Sequence, residues 1–337
     1  MCKSEKLCRL SAGLVISLLI LAIAVTGGEI QAEETMKVAA ITPYGTGVPF
    51  EEAAFAGLDE AAEDFALETT IIRAEDPGEY PVQLRAMAEE DYQVIIALHD
   101  YFYEDIEMVA EEYPEKKFIL VDSHRDTERE NLKIVEISPS SGSFLSGVAA
   151  AHATENEHVG FVGGLDHPII IQFLAGLEAG INHVNPEIEI SASFAGTFED
   201  PGTGQELALN LMERGADVIM HAADYTGIGA MRAAAEADNY AIGADVDQAD
   251  IAPGQVIASA IKDVGGAVYY SLEEIAAEEF QPGHFVFGPE YGADMVSIPE
   301  EIEFYQENPE VLSLIEELKT ELEAGEIEVP LTTEMEY

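Results

Sequence analysis

Asp122 directly follows the apolar run Phe118–Val121, and Asp245 follows the run Tyr240–Gly243. A carboxylate fixed at the end of a buried strand can accept two hydrogen bonds, a geometry matched to a pair of vicinal hydroxyls. Lys262 follows Val256–Ile261 and is the sole Lys or Arg between Arg232 and Lys319. A cation kept in so acidic a chain suits a donor to a polar ligand and a counter-charge to Asp245. Phe50 and Phe198 stand in loops after strand-like runs. Each offers a ring face for a planar group, worth ~1–3 kcal/mol by analogy with bases on aromatic side chains. Asp100-Tyr101 end a further run and are placed at the rim of the same site.

The chemistry that would make this an enzyme is absent from the motifs. There is no G-x-x-x-x-G-K-[ST] phosphate loop and no G-x-S-x-G nucleophile turn. Gly202-Thr203-Gly204 breaks the dinucleotide fingerprint, because Leu207 stands where its third glycine belongs. The eight histidines form no H-E-x-x-H. Asp245-Val246-Asp247 offers two carboxylates to a hard cation but lacks further spaced oxygen ligands. No catalytic residue, cofactor or metal is therefore expected.

Charge excludes more. Asp and Glu number 66 against 15 Lys and Arg, a net charge of −51. Binding nucleic acid needs clustered cations to neutralise phosphates, and docking on an anionic membrane needs them too. Such an excess fits a protein living in concentrated salt, where screening acts within ~3 Å at about 1 M.

The elements that must position these residues alternate. Strands are expected at 37–41, 69–72, 94–98, 118–121, 134–137, 159–162, 189–194, 217–220, 240–243 and 256–260. Helices fall between them; Phe55, Leu58, Ala62 and Phe65, for example, share one helical face. Strict β–α alternation implies parallel sheets covered on both faces, and the strands are too many for one five-stranded unit. Two doubly wound lobes fit, with ligands beyond the carboxyl ends of the strands and a closing cleft between the lobes.

Ahead of these elements, Lys3, Lys6 and Arg9 precede the uncharged stretch 12–27, which ends in small residues. This pattern reads as an export signal over residues 1–32, cleaved after Ala32, with an uncleaved membrane anchor as the alternative. The mature chain would carry 64 acidic and 12 basic residues and no cysteine, since Cys2 and Cys8 lie in the signal. It would then have no disulfide and no thiolate site.

Several blocks resemble the basic membrane protein family of ABC transporter substrate-binding proteins, which includes purine nucleoside receptors. They are VGFVGG at 159–164, FLAGLEAGIN at 173–182, GTFEDPGTG at 196–204, GADVIMHAADYTGIG at 215–229, AIGADVDQ at 241–248, SAIK at 259–262 and GEIEVP at 325–330. Their order spans nearly the whole mature chain. The resemblance implies an α/β type I periplasmic-binding-protein fold, two Rossmann-like lobes joined by three hinge crossovers near 138–139, 258–260 and 281–283. Lobe 1 would comprise 33–139 plus 260–282, and lobe 2 140–259 plus 283–330. It further implies an extracytoplasmic monomer that captures a purine nucleoside and hands it to an ABC permease. Asp245 matches the family's ribose-binding Asp. Two departures stand out: Glu51 replaces an Asn that helps read the base, and Asp224-Tyr225 replace a Gly pair, which brings both into reach of the ligand. The implied ligand-binding set is Phe50, Asp122, Phe198, Asp224, Asp245 and Lys262. A sugar or polyol binder of the same fold, and a surface sensor or adhesion protein uncoupled from transport, are the alternatives.

Overall fold

A computed structural model describes residues 35–44 and 48–333. The expected export signal lies outside the described residues.

The chain runs β1 (Lys37–Thr42), α1 (Pro49–Asp64), β2 (Glu68–Arg73), α2 (Tyr80–Glu89), β3 (Val94–Leu98), α3 (Tyr103–Glu112), β4 (Lys117–Val121) and β5 (Leu132–Ile137). It continues with α4 (Ser140–Ala153), β6 (His158–Gly163), α5 (Pro168–Val184), β7 (Glu189–Phe194), α6 (Pro201–Glu213), β8 (Val218–Ala222), α7 (Asp224–Glu236), β9 (Tyr240–Asp245) and β10 (Val256–Ile261). The last elements are α8 (Val264–Ala276), β11 (Gly283–Phe287), β12 (Val296–Ser297), α9 (Glu303–Glu307) and α10 (Pro309–Glu323).

Two six-stranded sheets result, in the orders β11-β5-β4-β3-β1-β2 and β12-β10-β9-β8-β6-β7. Among the described residues every pairing is parallel except the short β10–β12 contact. The strands are apolar on both faces because helices cover both. In β3, Val94, Ile96 and Leu98 pack with Leu58 of α1 and Val268 and Leu272 of α8. The intervening Ile95 and Ala97 face Leu84 of α2 and Val109 of α3. This alternation is the period of two that a strand imposes on its side chains. The second sheet is covered in the same way by α4, α5 and α10 on one face and by α6 and α7 on the other.

In each sheet the strand order reverses once. The chain goes from β1 to β2 and then to β3 on the opposite side; it likewise goes from β6 to β7 and then to β8. The loops after β1 and β3, and after β6 and β8, therefore diverge and leave a crevice at the carboxyl edge.

The chain passes from the first sheet to the second after β5, returns after β10, and passes again after β11. Two of these passages lie later than expected. The boundary expected at 260 falls inside β10, which pairs with β9 through Ile261. Residues 283–287, expected in lobe 2, form β11 and pair with Lys133–Ile137 of β5 in the first sheet. The physical reason is the backbone ladder: β5 would otherwise be an open edge, and β11 pairs with it before the chain departs.

The return passage is tightly held. Val264 N donates to Lys262 O across Asp263 (φ −74°, ψ 73°), an inverse γ-turn. The Asp263 carboxylate accepts from Gly266 N, capping α8, and from Asp294 N on the last passage. Ile261 N donates to Met295 O. A Cβ on Gly142, at the start of α4, would stand 1.9 Å from that same carbonyl oxygen. All three passages thus touch one another.

Candidate functional site

A cavity of about 220 Å³ opens between the carboxyl edges of the two sheets. All six residues singled out from the sequence line it: Phe50, Asp122, Phe198, Asp224, Asp245 and Lys262. Asp100, Tyr101 and Tyr225 line it as well. Asp122 follows β4, Asp224 follows β8, Asp245 ends β9, Lys262 follows β10 and Phe198 lies beyond β7. Phe50 sits in the first turn of α1, after β1.

The backbone at these strand ends is unusual. His99 (φ 83°), Asp122 (φ 69°), Asp224 (φ 48°) and Asp245 (φ 68°) all have positive φ and all line the cleft. Asp tolerates the left-handed region better than most residues with side chains, whereas His99, at φ 83° and ψ 147°, lies in the extended positive-φ region that favours glycine; held strain of this kind gathers at binding sites. At Asp245 the turn is closed by Val246 N donating to Ala244 O, and Lys262 N donates to Asp245 O. Gln248 holds the same turn through Ala244 N, while Asp247 accepts from Ala249 N.

Lys262 is almost wholly buried, and its Nζ lies 2.6 Å from Asp122 Oδ1. The sequence pointed to Asp245 as its counter-charge; the direct ion pair goes to Asp122 instead. Lys262 still acts on Asp245. Burial pushes the Asp245 carboxyl above its ordinary range and the Asp122 charge adds to this, while Lys262 and His99 pull it down. Asp224 is pushed up to about 7, first by burial and then by the charges of Asp245, Glu51 and Glu199. His167, also in the lining, is held below its usual value by burial and by His124.

The two phenylalanines have different settings. Phe198 lies across Gly164, the residue after β6; a Cβ there would be 2.1 Å from its ring. The missing side chain is what seats the ring. Phe50 stacks on His99, with centroids 4.2 Å apart and planes 28° off parallel. One face of Phe50 is therefore already covered, and the residue lies in α1 rather than in the loop expected from the sequence, because Pro49 starts the helix one residue before it. Lys262 Nζ stands 5.6 Å from its centroid.

Glu51 is completely buried beside Phe50. Its Oε1 accepts from Thr42 Oγ1 at 3.0 Å and lies 2.6 Å from His99 Nε2. Sequence reasoning passed over His99, Tyr44, His167 and Glu199 as lining residues. His99 was findable, because it directly follows β3 and the strand-end rule that selected Asp122 selects it too. Ile169, Ile170 and Phe173, on the first turns of α5, carried no such signal; their side chains reach the cleft only because α5 starts at its rim. Among the described residues no group of three or more His, Cys, Asp or Glu is arranged to hold a metal ion. No helix of the described residues is long and apolar enough to cross a membrane.

The arrangement can read a small polar ligand: a cation and acceptors on the floor, rings on opposite sides, and no phosphate cradle. A family model described as "ABC transporter substrate-binding protein PnrA-like" matches residues 42–329. The chain is 30% identical to Basic membrane protein A2 of Borrelia garinii subsp. bavariensis, over 85% of each chain. It is 31% identical to the CD4+ T-cell-stimulating antigen of Listeria innocua serovar 6a, over 90% of each. An ABC transporter solute-binding protein from Aeropyrum pernix K1 superposes with a TM-score of 0.75 at 24% identity, covering 88% of this chain and 94% of that one. That likeness shows the fold.

Proposed function

The chain belongs to the PnrA-like family of ABC transporter substrate-binding proteins, and on that premise we propose that it captures a purine nucleoside between its lobes, outside the cytoplasm, and delivers it to an ABC permease. The observation that carries this reading is the buried Asp122–Lys262 ion pair beside Asp245 at the cleft floor. An ammonium that donates and a carboxylate that accepts fit two neighbouring ribose hydroxyls, each of which can do both. Phe198 and the largely buried Phe50, 8% exposed, are two phenylalanines of the lining that a planar base could meet. One chain furnishes every residue named here, so a monomer suffices. The process makes and breaks no covalent bond, and the family is one of binding proteins, not of enzymes.

Phosphate is disfavoured. Among the described residues of the lining, Lys262 is the one Lys or Arg, against Glu51, Asp100, Asp122, Glu199, Asp224 and Asp245. An anion entering there meets net repulsion, while hydroxyls find acceptors. The test is a thermal-shift screen in high salt followed by calorimetry with nucleosides, AMP and ribose. A ligand at ~100 times its Kd adds about 2.7 kcal/mol to stability. Purine nucleosides should raise the melting temperature most. Tighter binding of AMP than of any nucleoside would refute the role given to charge; a response to sugars alone would remove the base from the reading.

A further inference from the structure

Among the described residues of the cleft lining, two buried side-chain oxygens lack a hydrogen bond: Asp122 Oδ1, which the Lys262 ammonium meets as an ion pair, and Glu51 Oε2, which has no such counter-charge. Glu51 is fully buried, yet its Oε2 accepts no hydrogen bond from any described residue, while its Oε1 is engaged by Thr42 and His99. A buried acceptor without a donor forfeits its hydration with nothing in return, so such an atom in a binding cleft points to a donor brought by the ligand. Two further features of the lining favour a donor over another acceptor: Asp224 lies close enough for the Glu51 charge to act on it, and Asp245 adds to the same negative field.

We infer that Glu51 selects the base: its buried, unpartnered Oε2, beside Phe50 in the cleft, accepts the ring N–H of a 6-oxopurine. This rests on the nucleoside reading above. Hypoxanthine and guanine carry a hydrogen on N1, and guanine adds an amino group on C2. Adenine N1 carries a lone pair instead. Setting the adenine amino group against Oε2 would bring that lone pair alongside the carboxylate. His99 Nε2–H directed at Oε1 fixes the carboxylate, so the free oxygen cannot exchange places with the engaged one without breaking a 2.6 Å contact.

The decisive change is Glu51→Gln. The amide oxygen keeps the Thr42 and His99 bonds, and the ligand-facing atom turns from an acceptor into an N–H donor that suits adenine N1. Competition calorimetry with inosine, guanosine, adenosine and 1-methylinosine reads the result. The wild-type protein should bind inosine and guanosine at least about tenfold more tightly than adenosine, and 1-methylinosine should lose at least about tenfold against inosine. Glu51→Gln should bring adenosine level with inosine or ahead of it. Adenosine equal or tighter in the wild type, equal binding of inosine and 1-methylinosine, or an unchanged ratio in a folded Glu51→Gln would each overturn the role of Glu51 while leaving nucleoside capture standing. Binding of no nucleoside at all would overturn both.

Discussion

Lys262 and the carboxylates around it set what the site can hold and what its variants should do. Asp245→Asn removes the charge of an acceptor in the cleft and should weaken nucleoside binding by on the order of 2–5 kcal/mol in calorimetry, with the unliganded melting temperature little changed because Asn also tolerates the left-handed backbone there. Lys262→Ala should weaken binding similarly but also lower that melting temperature, because it leaves the buried Asp122 carboxylate without its partner. Unchanged affinity in both variants would show that the ligand sits elsewhere. Asp224 makes a separate statement about pH. Its carboxyl is raised from 3.8 to about 7. The folded state therefore holds a proton that the unfolded state releases, so this contribution to stability is complete below pH ~4 and is lost as pH rises through about 7. It amounts to at most about 4 kcal/mol. Asp224→Asn should melt at the same temperature as the parent near pH 4 and at a higher one above pH 7. A gap that stays constant across that range would show that Asp224 is not the titrating group.

At the scale of elements, the carboxyl ends of β3, β4, β8, β9 and β10 do the placing. Each strand is buried between helices, so its register is fixed, and a residue at its end or within two positions beyond it is delivered to the cleft edge. Most of these elements were legible from apolar runs and helical periodicity, within a residue or two at their ends. β11 was not: Gly-His-Phe-Val-Phe alternates like an edge strand, and only the open side of β5 makes it one. The last passage between the sheets lies later than expected for the same reason. The seat of Phe198 provides a test at this scale. Gly164→Ala puts a Cβ into the ring and must displace it. Affinity for nucleosides should fall by about 1–3 kcal/mol, and Gly164→Ala combined with Phe198→Ala should be no weaker than Phe198→Ala alone. Additive losses in that cycle would separate the glycine from the ring.

Over the whole molecule, the net charge of −51 outweighs what local ion pairs can offset. Several of the few cations are already engaged on the surface: Arg85 with Glu112, and Arg129 with Glu107 and Glu111. Fifteen basic residues cannot neutralise 66 acidic ones. In ~0.01 M salt the Debye length of ~30 Å lets the remaining carboxylates repel one another across the molecule; at about 1 M it shrinks to ~3 Å. The protein should lose its fold in dilute buffer and regain it with added salt, followed by circular dichroism. Equal melting temperatures at ~0.01 M and ~2 M salt would sink this expectation.

The alternation of strands and helices, the doubling into two sheets, and the strand-end positions of Asp122, Asp245 and Lys262 are legible in the order of the amino acids. These are local properties: periodicity over a few residues, a charge next to an apolar run, a block of motif. Pairings across the chain were decided by the tertiary structure alone. Lys262 meets Asp122 and not its neighbour Asp245, His99 covers Phe50, and Glu51 is left with one free oxygen. Which acceptor a buried ammonium reaches depends on the distance between strand ends in different sheets, and that distance exists only once both sheets have packed.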